Sequence, residues 1–236
     1  MSIRLFIANW KMQKTVQESL QFINNNIEKL SKLDHKLIIA PTAPALTAMH
    51  QLLKETDVAL CGQSCSEFKA GPYTGQISAQ DLVESGCNYV LVGHSEERVA
   101  FKLTNEQIVE KTLRVFEAGM IPIVCIGEPQ EIHDAGRTQE YLEEQLYLVK
   151  RAIKGAPLYI AYEPLWAIGS GKTPTNQELA IIFDTLKVFM QGCAFLYGGS
   201  VNKETVQELK KVEQICGFLI GSASLEFETL YSIIQE

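Results

Sequence analysis

The strongest constraint on the fold is a repeat along the whole chain of 236 residues, in which short apolar runs alternate with longer amphipathic stretches. Runs such as Leu37-Ile38-Ile39-Ala40 are apolar throughout, as strands of a parallel sheet covered on both faces must be. Their mean spacing is about 30 residues, the size of one strand–helix unit. Eight strands are predicted, at 3–9, 36–41, 58–63, 88–92, 120–126, 157–162, 193–197 and 215–220.

The stretches between these runs have the periodicity of helices. Apolar residues recur every three to four positions, for example at Val16, Leu20, Ile23 and Ile27. Eight uninterrupted strand–helix repeats favour an α/β fold, a closed (β/α)8 barrel in a single domain spanning 1–236, with an open doubly wound sheet as the alternative. Capping boxes predict the starts of three helices, at Thr15/Glu18, Thr104/Gln107 and Thr175/Glu178.

The composition argues against several classes of function. A formal net charge of −7 disfavours nucleic acid or an anionic membrane as the main partner. No apolar run approaches the roughly 18 residues of a membrane span, and the N-terminus lacks the apolar core of a signal peptide. The six cysteines are scattered without a C-x-x-C pair, so we expect reduced thiols in a cytoplasmic protein and no metal site.

Polar residues and glycines stand at the predicted carboxyl ends of the strands, where barrel enzymes place their chemistry. In isolation most of them have a simpler interpretation, because a lone glutamate is usually a solvated charge and a lone histidine is more often structural. Their joint occurrence at one end of a barrel favours a catalytic site. These residues are Asn9, Lys11, Gln63, His94, Ser95, Glu96, Cys125, Glu163, Ser200, Gly221 and Ser222.

Glu163 is followed at once by a segment with the composition of a lid. An apolar tip excludes water, and small residues at the far end can absorb backbone rotation. A carboxylate that such a tip shields from water is a stronger base. The exit is not a nucleotide-binding P-loop, because that motif needs a glycine where this chain has Trp166. The predicted lid is Pro164-Leu165-Trp166-Ala167-Ile168-Gly169-Ser170-Gly171-Lys172-Thr173.

His94 and Lys11 are candidates for the groups that face the base. His94 stands where an apolar strand gives way to a helical turn, and the positive end of a helix dipole disfavours the imidazolium form. The sequence therefore predicts a neutral ring that donates one N–H. The other histidines, at 35, 50 and 133, occupy polar contexts. Lys11 alone reads as a surface lysine, but in a barrel mouth its ammonium suits a phosphate dianion.

Two glycine turns follow the last two predicted strands. Either turn alone is weak evidence, because turns use glycine anyway. Two at consecutive strand ends predict a phosphate site, since barrels often bind phosphate there through backbone N–H groups. The turns are Tyr197-Gly198-Gly199-Ser200-Val201 and Ile220-Gly221-Ser222-Ala223-Ser224.

Together these motifs resemble the triosephosphate isomerase family, in order and over essentially the whole chain. The resemblance implies a (β/α)8 barrel that interconverts dihydroxyacetone phosphate and D-glyceraldehyde 3-phosphate through an enediolate, in glycolysis and gluconeogenesis, without metal or organic cofactor. The matching segments are Ala8-Asn9-Trp10-Lys11, Gly93-His94-Ser95-Glu96, Val124-Cys125-Ile126-Gly127-Glu128, Tyr162 to Thr173, Tyr197-Gly198-Gly199-Ser200-Val201 and Gly217-Phe218-Leu219-Ile220-Gly221.

The same resemblance assigns roles to the site residues. It implies that Glu163 is the base, His94 the electrophile and Lys11 the group that binds substrate and balances charge. Asn9 would bind substrate and, with Glu96, position Lys11, while Ser95 and Cys125 would support the site. Gly169, Ser200, Gly221 and Ser222 would hold the phosphate through backbone donors.

The family is dimeric, so the resemblance also implies a homodimer. The long connection 64–77 matches a loop that inserts beside the partner's site, with Thr74 at its tip and Tyr73, Gln63 and Gln76 at the interface. Some residues depart from the family pattern. Ser222 replaces a usual glycine in the phosphate turn, and Gln76 and Glu97 replace a usual glutamate and arginine, which puts the charge pairing between subunits in doubt.

Two other functions remain as alternatives. One is a different phosphosugar barrel enzyme, such as an aldolase or an epimerase. An aldolase needs a Schiff-base lysine on an inner strand, and an epimerase needs several metal-binding histidines; we find neither. The other is a catalytically silent barrel that serves as a binding protein, which loss of Lys11, His94 or Glu163 would have indicated.

Overall fold

The computed structural model of the chain describes residues 4–168 and 172–236. Eight strands, each parallel to its neighbours, close into a barrel in chain order. Because β1 pairs with β8, the predicted barrel is confirmed and the open sheet is wrong. The strands are β1 Leu5–Asn9, β2 Lys36–Ala40, β3 Ala59–Gly62, β4 Cys87–Val92, β5 Ile121–Ile126, β6 Tyr159–Tyr162, β7 Ala194–Tyr197 and β8 Ile215–Ile220.

Helices cover the outside of the barrel. The three predicted capping boxes are confirmed, and Ser78/Asp81 and Asn202/Thr205 form two more. None of the helices in the described ranges is long and apolar enough to cross a lipid bilayer. They are α1 Val16–Leu30, α2 Leu46–Leu53, α3 Ala79–Glu84, α4 Ser95–Phe101, α5 Asn105–Glu117, α6 Gln130–Asp134, α7 Thr138–Ile153, α8 Asn176–Phe189, α9 Lys203–Leu209 and α10 Phe227–Gln235, with 3-10 turns at Ala43–Ala45 and Ser222–Ser224.

Two apolar clusters hold these layers together. Successive strand side chains point to opposite faces of a sheet. In β1, Leu5 and Ile7 therefore fill the barrel interior, while Phe6 and Ala8 pack against the helices. The interior cluster consists mainly of small and branched side chains, with Tyr89 as an aromatic member. The cluster between the strands and the helices contains more residues. Since both faces are buried, the strands are almost wholly apolar, and the polar exceptions are Asn9 at the end of β1, Lys36 at the start of β2 and Asn88 in β4.

The register of the strands brings their carboxyl ends to one level. Ile126 pairs with Tyr162 across β5 and β6, and Tyr162 pairs with Tyr197 across β6 and β7. The residues that follow these ends, Glu163 among them, therefore share one rim of the barrel. Polar side chains that lie far apart in the sequence meet at this rim.

Candidate functional site

A cavity of about 380 Å³ opens at the carboxyl ends of the strands. It has the size of a small-molecule site. Ser95 and Cys125 do not line it but lie behind Glu163, beside a second cavity. Gly169 falls outside the residues that the structure describes. The predicted site residues that line the first cavity are Asn9, Lys11, His94, Glu96, Glu163, Ser200, Gly221 and Ser222.

Glu163 is the buried carboxylate at the centre of this rim, only 2% exposed. Its Oε1 lies 3.0 Å from His94 Nε2, and its Oε2 accepts the backbone N–H of Ser95 at 3.3 Å. The thiol of Cys125 also faces it, and burial, followed by the Glu163 charge, raises the pKa of that thiol well above its usual range. The main chain is fixed where β6 ends, because the Glu163 N–H donates to Ile126 O at 2.7 Å.

His94 caps the N-terminus of α4. Its Nδ1 accepts the backbone N–H of Glu96 at 3.2 Å. A neutral ring then carries its proton on Nε2, the atom that faces Glu163. Burial lowers the pKa of His94, but the facing Glu163 carboxylate and Glu96 raise it, and the net direction is upward. The hydrogen bond at Nδ1 favours the neutral ring, because in a protonated ring the Nδ1–H would face the backbone N–H of Glu96.

Lys11 lies in the left-handed region with φ 52°, which costs a non-glycine residue about 1 kcal/mol. Its backbone N–H is held by Asn9 Oδ1 at 3.0 Å, and its carbonyl accepts from Gln63 Nε2 at 2.8 Å. Gln63 also donates to Ala40 O at 2.9 Å, so its amide supports Lys11 within the same chain. The ammonium is 2.6 Å from Glu96 Oε1, and the turn therefore directs a cation into the cavity.

The two glycine turns form the wall beside Lys11. Ser222 begins a 3-10 turn and does not have a positive φ, so its replacement of glycine introduces no backbone strain. A Cβ built on Gly221 would lie 3.5 Å from Lys11 Cε, which places the lysine stem directly over this turn. Ser200 donates its hydroxyl to Ala167 O at 2.7 Å and ties the other turn to the predicted lid.

The first half of the predicted lid is held by the segment after β5. Leu165 N–H donates to Glu128 O at 3.1 Å, and Trp166 Nε1 donates to Glu128 Oε1 at 2.8 Å. Ala167 is fully buried, and Ile168 lines the cavity. Gly169, Ser170 and Gly171 lie outside the described residues. Glu128 was not among the site residues that the sequence indicated, although it belongs to a matching segment.

Gln145 is a second functional candidate that sequence reasoning missed. It lies on α7, and its side chain makes two hydrogen bonds to the Gly127 backbone, at 3.0 and 3.2 Å. Gly127 in turn packs so closely on the base that a Cβ there would lie 1.8 Å from Glu163 O. A buried amide thus holds the segment on which the main chain of Glu163 rests. In sequence, a glutamine on an amphipathic helix resembles any surface residue.

Arg98 is a third such residue. From α4 its guanidinium donates to Gly93 O at 2.9 Å and to Cys125 O at 3.0 Å. It also contacts Asn105 Oδ1 at 3.1 Å. Arg98 therefore joins the ends of β4 and β5 behind the pair formed by His94 and the base.

Glu97, one of the departures from the family pattern, is paired within the chain. Its Oε1 is 2.6 Å from Lys111 Nζ and accepts the Ser64 hydroxyl at 2.6 Å. The side chains of Lys111 and Glu97 are only 8% and 16% exposed. This cluster joins α4, α5 and the start of the long connection, so the charge of Glu97 is compensated locally.

The long connection 64–77 is a structured loop. Its ends are closed by the hydrogen bond from Ser66 N to Ile77 O at 2.7 Å. The rings of Phe68 and Tyr73 stack with centroids 3.7 Å apart, yet both remain about two-fifths exposed. Thr74 and Gln76 are exposed beside them.

Within residues 4–168 and 172–236, no group of three histidine, cysteine, aspartate or glutamate side chains is placed to hold a metal ion. The groups present at the rim are a buried carboxylate, an imidazole in contact with it, an ammonium and two glycine turns. Such a set can remove a proton from carbon, donate to an adjacent oxygen and bind an anion.

Comparison with known proteins agrees with this geometry. The family model described as triosephosphate isomerase matches residues 4–236. The triosephosphate isomerase of Aquifex aeolicus is 38% identical over 243 residues, covering 98% of each chain. That of Wolbachia sp. subsp. Brugia malayi is 36% identical over 232 residues, covering 98% of this chain and 97% of that protein. The crystal structure of triosephosphate isomerase from Bartonella henselae has a TM-score of 0.86 at 28% identity, covering 98% of each chain.

Proposed function

Since the chain belongs to the triosephosphate isomerase family, we propose that Glu163, His94 and Lys11 interconvert dihydroxyacetone phosphate and D-glyceraldehyde 3-phosphate at this rim. The protein is an isomerase that moves hydrogen between adjacent carbons of one substrate. The observation that supports these roles best is the 3.0 Å contact between Glu163 Oε1 and His94 Nε2. A base and a hydrogen-bond donor this close can act at the same time on a substrate carbon and on the oxygen next to it.

Glu163 is the proposed base. It removes a proton from the carbon next to the carbonyl, which leaves an enediolate, and returns the proton to the neighbouring carbon. The carboxylate is buried, which keeps bulk water away from the proton transfer. Its main chain is held by Ile126, and its Oε2 by Ser95, so little reorganisation is needed before the transfer.

His94 is the proposed electrophile. Its Nε2–H donates to the substrate oxygens in turn, stabilising the negative charge that develops on them. The Glu96 N–H at Nδ1 favours the neutral ring for this task. A neutral imidazole can give and take back a proton between the two oxygens of the enediolate without leaving a fixed charge.

Lys11 and the glycine turns are the proposed anion site. The Lys11 ammonium balances the charge of the phosphate dianion and of the enediolate. Backbone donors of Ser200, Gly221 and Ser222 would hold the phosphate, as donors at barrel turns commonly do. Gly169 is assigned the same role of phosphate donor only because it matches the family pattern. Closure of the segment 164–173 would keep the enediolate dry and suppress loss of phosphate.

The test is a coupled assay of the isomerisation without added metal, with wild type and Glu163→Gln. The variant keeps the shape of the side chain but cannot accept the proton, so turnover should fall by several orders of magnitude. Binding of glycerol phosphate, which needs only the anion site, should be largely retained. Wild-type turnover in Glu163→Gln would reject the assignment of the base.

A homodimer is the proposed assembly, formed through the loop 64–77 and α4. Large apolar side chains are exposed on two segments that contact the start of this loop. Met12, 90% exposed, follows Lys11, whose carbonyl accepts from Gln63. Val99 and Phe101, 71% and 74% exposed, lie on α4, where Glu97 accepts the Ser64 hydroxyl. These exposed apolar side chains, together with the half-exposed rings of Phe68 and Tyr73, suit a protein partner. We also propose a cytoplasmic location, which is supported by six free cysteines.

A further inference from the structure

Trp166 lies between two groups from the segment that follows β5. Its Nε1 donates to Glu128 Oε1 at 2.8 Å. Its indole stacks on the ring of His133, with centroids 4.2 Å apart and planes inclined by 27°. His133 Nδ1 is in turn 3.7 Å from the same oxygen of Glu128. One histidine therefore contacts both the tryptophan and the carboxylate that holds it.

Glu128 is fully buried, and the hydrogen bonds to its carboxylate all fall on one of the two oxygens. Besides Trp166, its Oε1 accepts from the Tyr162 hydroxyl at 2.9 Å and from Thr138 at 3.4 Å. Burial and the Glu128 charge raise the pKa of Tyr162, which keeps this phenol a hydrogen donor. The other oxygen, Oε2, has no hydrogen-bond partner among the described residues. A buried carboxylate in this condition responds strongly to any positive charge nearby.

His133 is the neighbour that can supply such a charge. Histidine is the side chain whose ordinary pKa lets it change charge between about pH 5 and 8. The ring is 31% exposed, so protons reach it from solvent. A protonated ring stands 3.7 Å from Glu128 and over the face of Trp166, and the ion pair and the cation–π contact both favour this arrangement.

Several other carboxylates lie near the ring, while the cation Arg137, which follows the same helix, pairs with Glu140 at 2.8 Å. Glu178 of α8 faces it, and the pKa of Glu178 is lowered mainly by its hydrogen bonds to Thr175 and to a smaller extent by His133. Glu131 and Asp134 lie on the same short helix as the histidine. These carboxylates add to the attraction for a protonated ring and do not oppose it.

We propose that His133 is a positioning residue for the lid, whose protonation strengthens the contact between Trp166 and Glu128. At low pH the charged ring holds Trp166 against the segment after β5. At high pH only the hydrogen bond and the neutral stack remain, and Trp166 is released more readily. This inference rests on the proposed role of 164–173 as the lid, and it adds control by pH to that role.

The test follows the indole N–H resonance of Trp166 in ¹⁵N-labelled protein without substrate, between about pH 5.5 and 8.5. The chain has two tryptophans, and Trp10, which donates to Ser224 O at 3.2 Å in the core, serves as the internal control. In wild type the Trp166 resonance should titrate and the Trp10 resonance should not. In His133→Phe, which keeps an aromatic ring in the stack, the titration should be lost. His133→Gln is the second variant if the phenylalanine disturbs folding.

The kinetic arm compares wild type with His133→Phe over the same range. Their kcat values should agree near pH 8 and diverge toward pH 6, where only wild type carries the added charge. An unchanging Trp166 resonance in wild type, or an unaltered titration in both variants, would overturn the proposal. Because the resonance is read without turnover, an inactive protein with a titrating Trp166 would refute the isomerase mechanism and leave this inference standing.

Discussion

Gly198→Ala should displace the proposed base directly. A Cβ at Gly198 would lie 2.8 Å from Glu163 Cγ, whereas its next neighbours, Tyr162 O and Leu219 Cβ, are 3.4 and 3.5 Å away. The clash therefore falls almost entirely on the Glu163 side chain. To reach an ordinary carbon–carbon contact of about 3.5 Å, Glu163 must move by about 0.7 Å.

That displacement sets the expected loss of rate. A misplacement of about 1 Å can cost about 100-fold in rate, so we expect kcat to fall about 10- to 100-fold. This corresponds to about 1.4–2.7 kcal/mol of activation free energy. Affinity for glycerol phosphate should change little, because the new methyl group points at Glu163. The coupled assay measures kcat, and competition in the same assay measures the affinity.

Gly62→Ala is the matched control. Its Cβ would lie 2.7 Å from Leu82 Cδ1, an equally short contact that falls on the end of a side chain away from the base. Gly62→Ala should lower the midpoint of thermal unfolding without lowering kcat per folded molecule. A Gly198→Ala enzyme with wild-type kcat, or a Gly62→Ala enzyme with the same rate loss, would refute the geometric argument.

Two further predictions concern the loop and its attachment. Lys111→Met removes the cation from the Glu97 carboxylate, which is only 16% exposed, and should lower the free energy of unfolding by about 3 kcal/mol, measured by urea unfolding at fixed protein concentration. Combining Lys111→Met with Glu97→Gln should recover most of this loss. Lys211→Met, which breaks an exposed pair with Glu208, should change the stability little. An unchanged unfolding midpoint for Lys111→Met would contradict a buried pair. Thr74→Arg at the loop tip should shift sedimentation toward the monomer, while Thr229→Arg on α10 should not; a dimer unaffected by Thr74→Arg would disprove the interlocking loop.

Most of the fold could be predicted from the sequence. Apolar runs at a spacing near 30 residues give the strands, because a strand buried on both faces cannot tolerate polar positions. Each observed strand lies within two residues of its predicted range. Capping boxes locate helix starts for an equally local reason, since Thr15, Thr104 and Thr175 each bond a backbone N–H three residues on.

The support around the base could not be predicted in this way. Gln145 binds Gly127, 18 positions away. Nothing in the local pattern of a helix or loop tells such an amide from one in solvent. The residues that could be identified, such as Glu163, stand at strand ends, where the fold class itself fixes their location.

The contacts of His133 and Glu97 could not be predicted from the sequence either. In sequence His133 is one of three histidines in polar contexts, and only the structure places it on Trp166. In sequence, Glu97 indicates that a charge pair between subunits is lost, and only the structure shows Lys111 beside it. Which charges meet depends on the docking of helices, and that depends on the whole core.

Glu163 is the group proposed to carry a proton between two carbons of one triose phosphate. Incubation of dihydroxyacetone phosphate with the protein in D₂O, followed by NMR, tests it directly. We expect wild type to place solvent deuterium on the carbon next to the carbonyl, and Glu163→Gln to lose this exchange while still binding glycerol phosphate. Undiminished deuterium incorporation by Glu163→Gln would show that another group takes the proton, and the assignment of Glu163 as the base would be wrong.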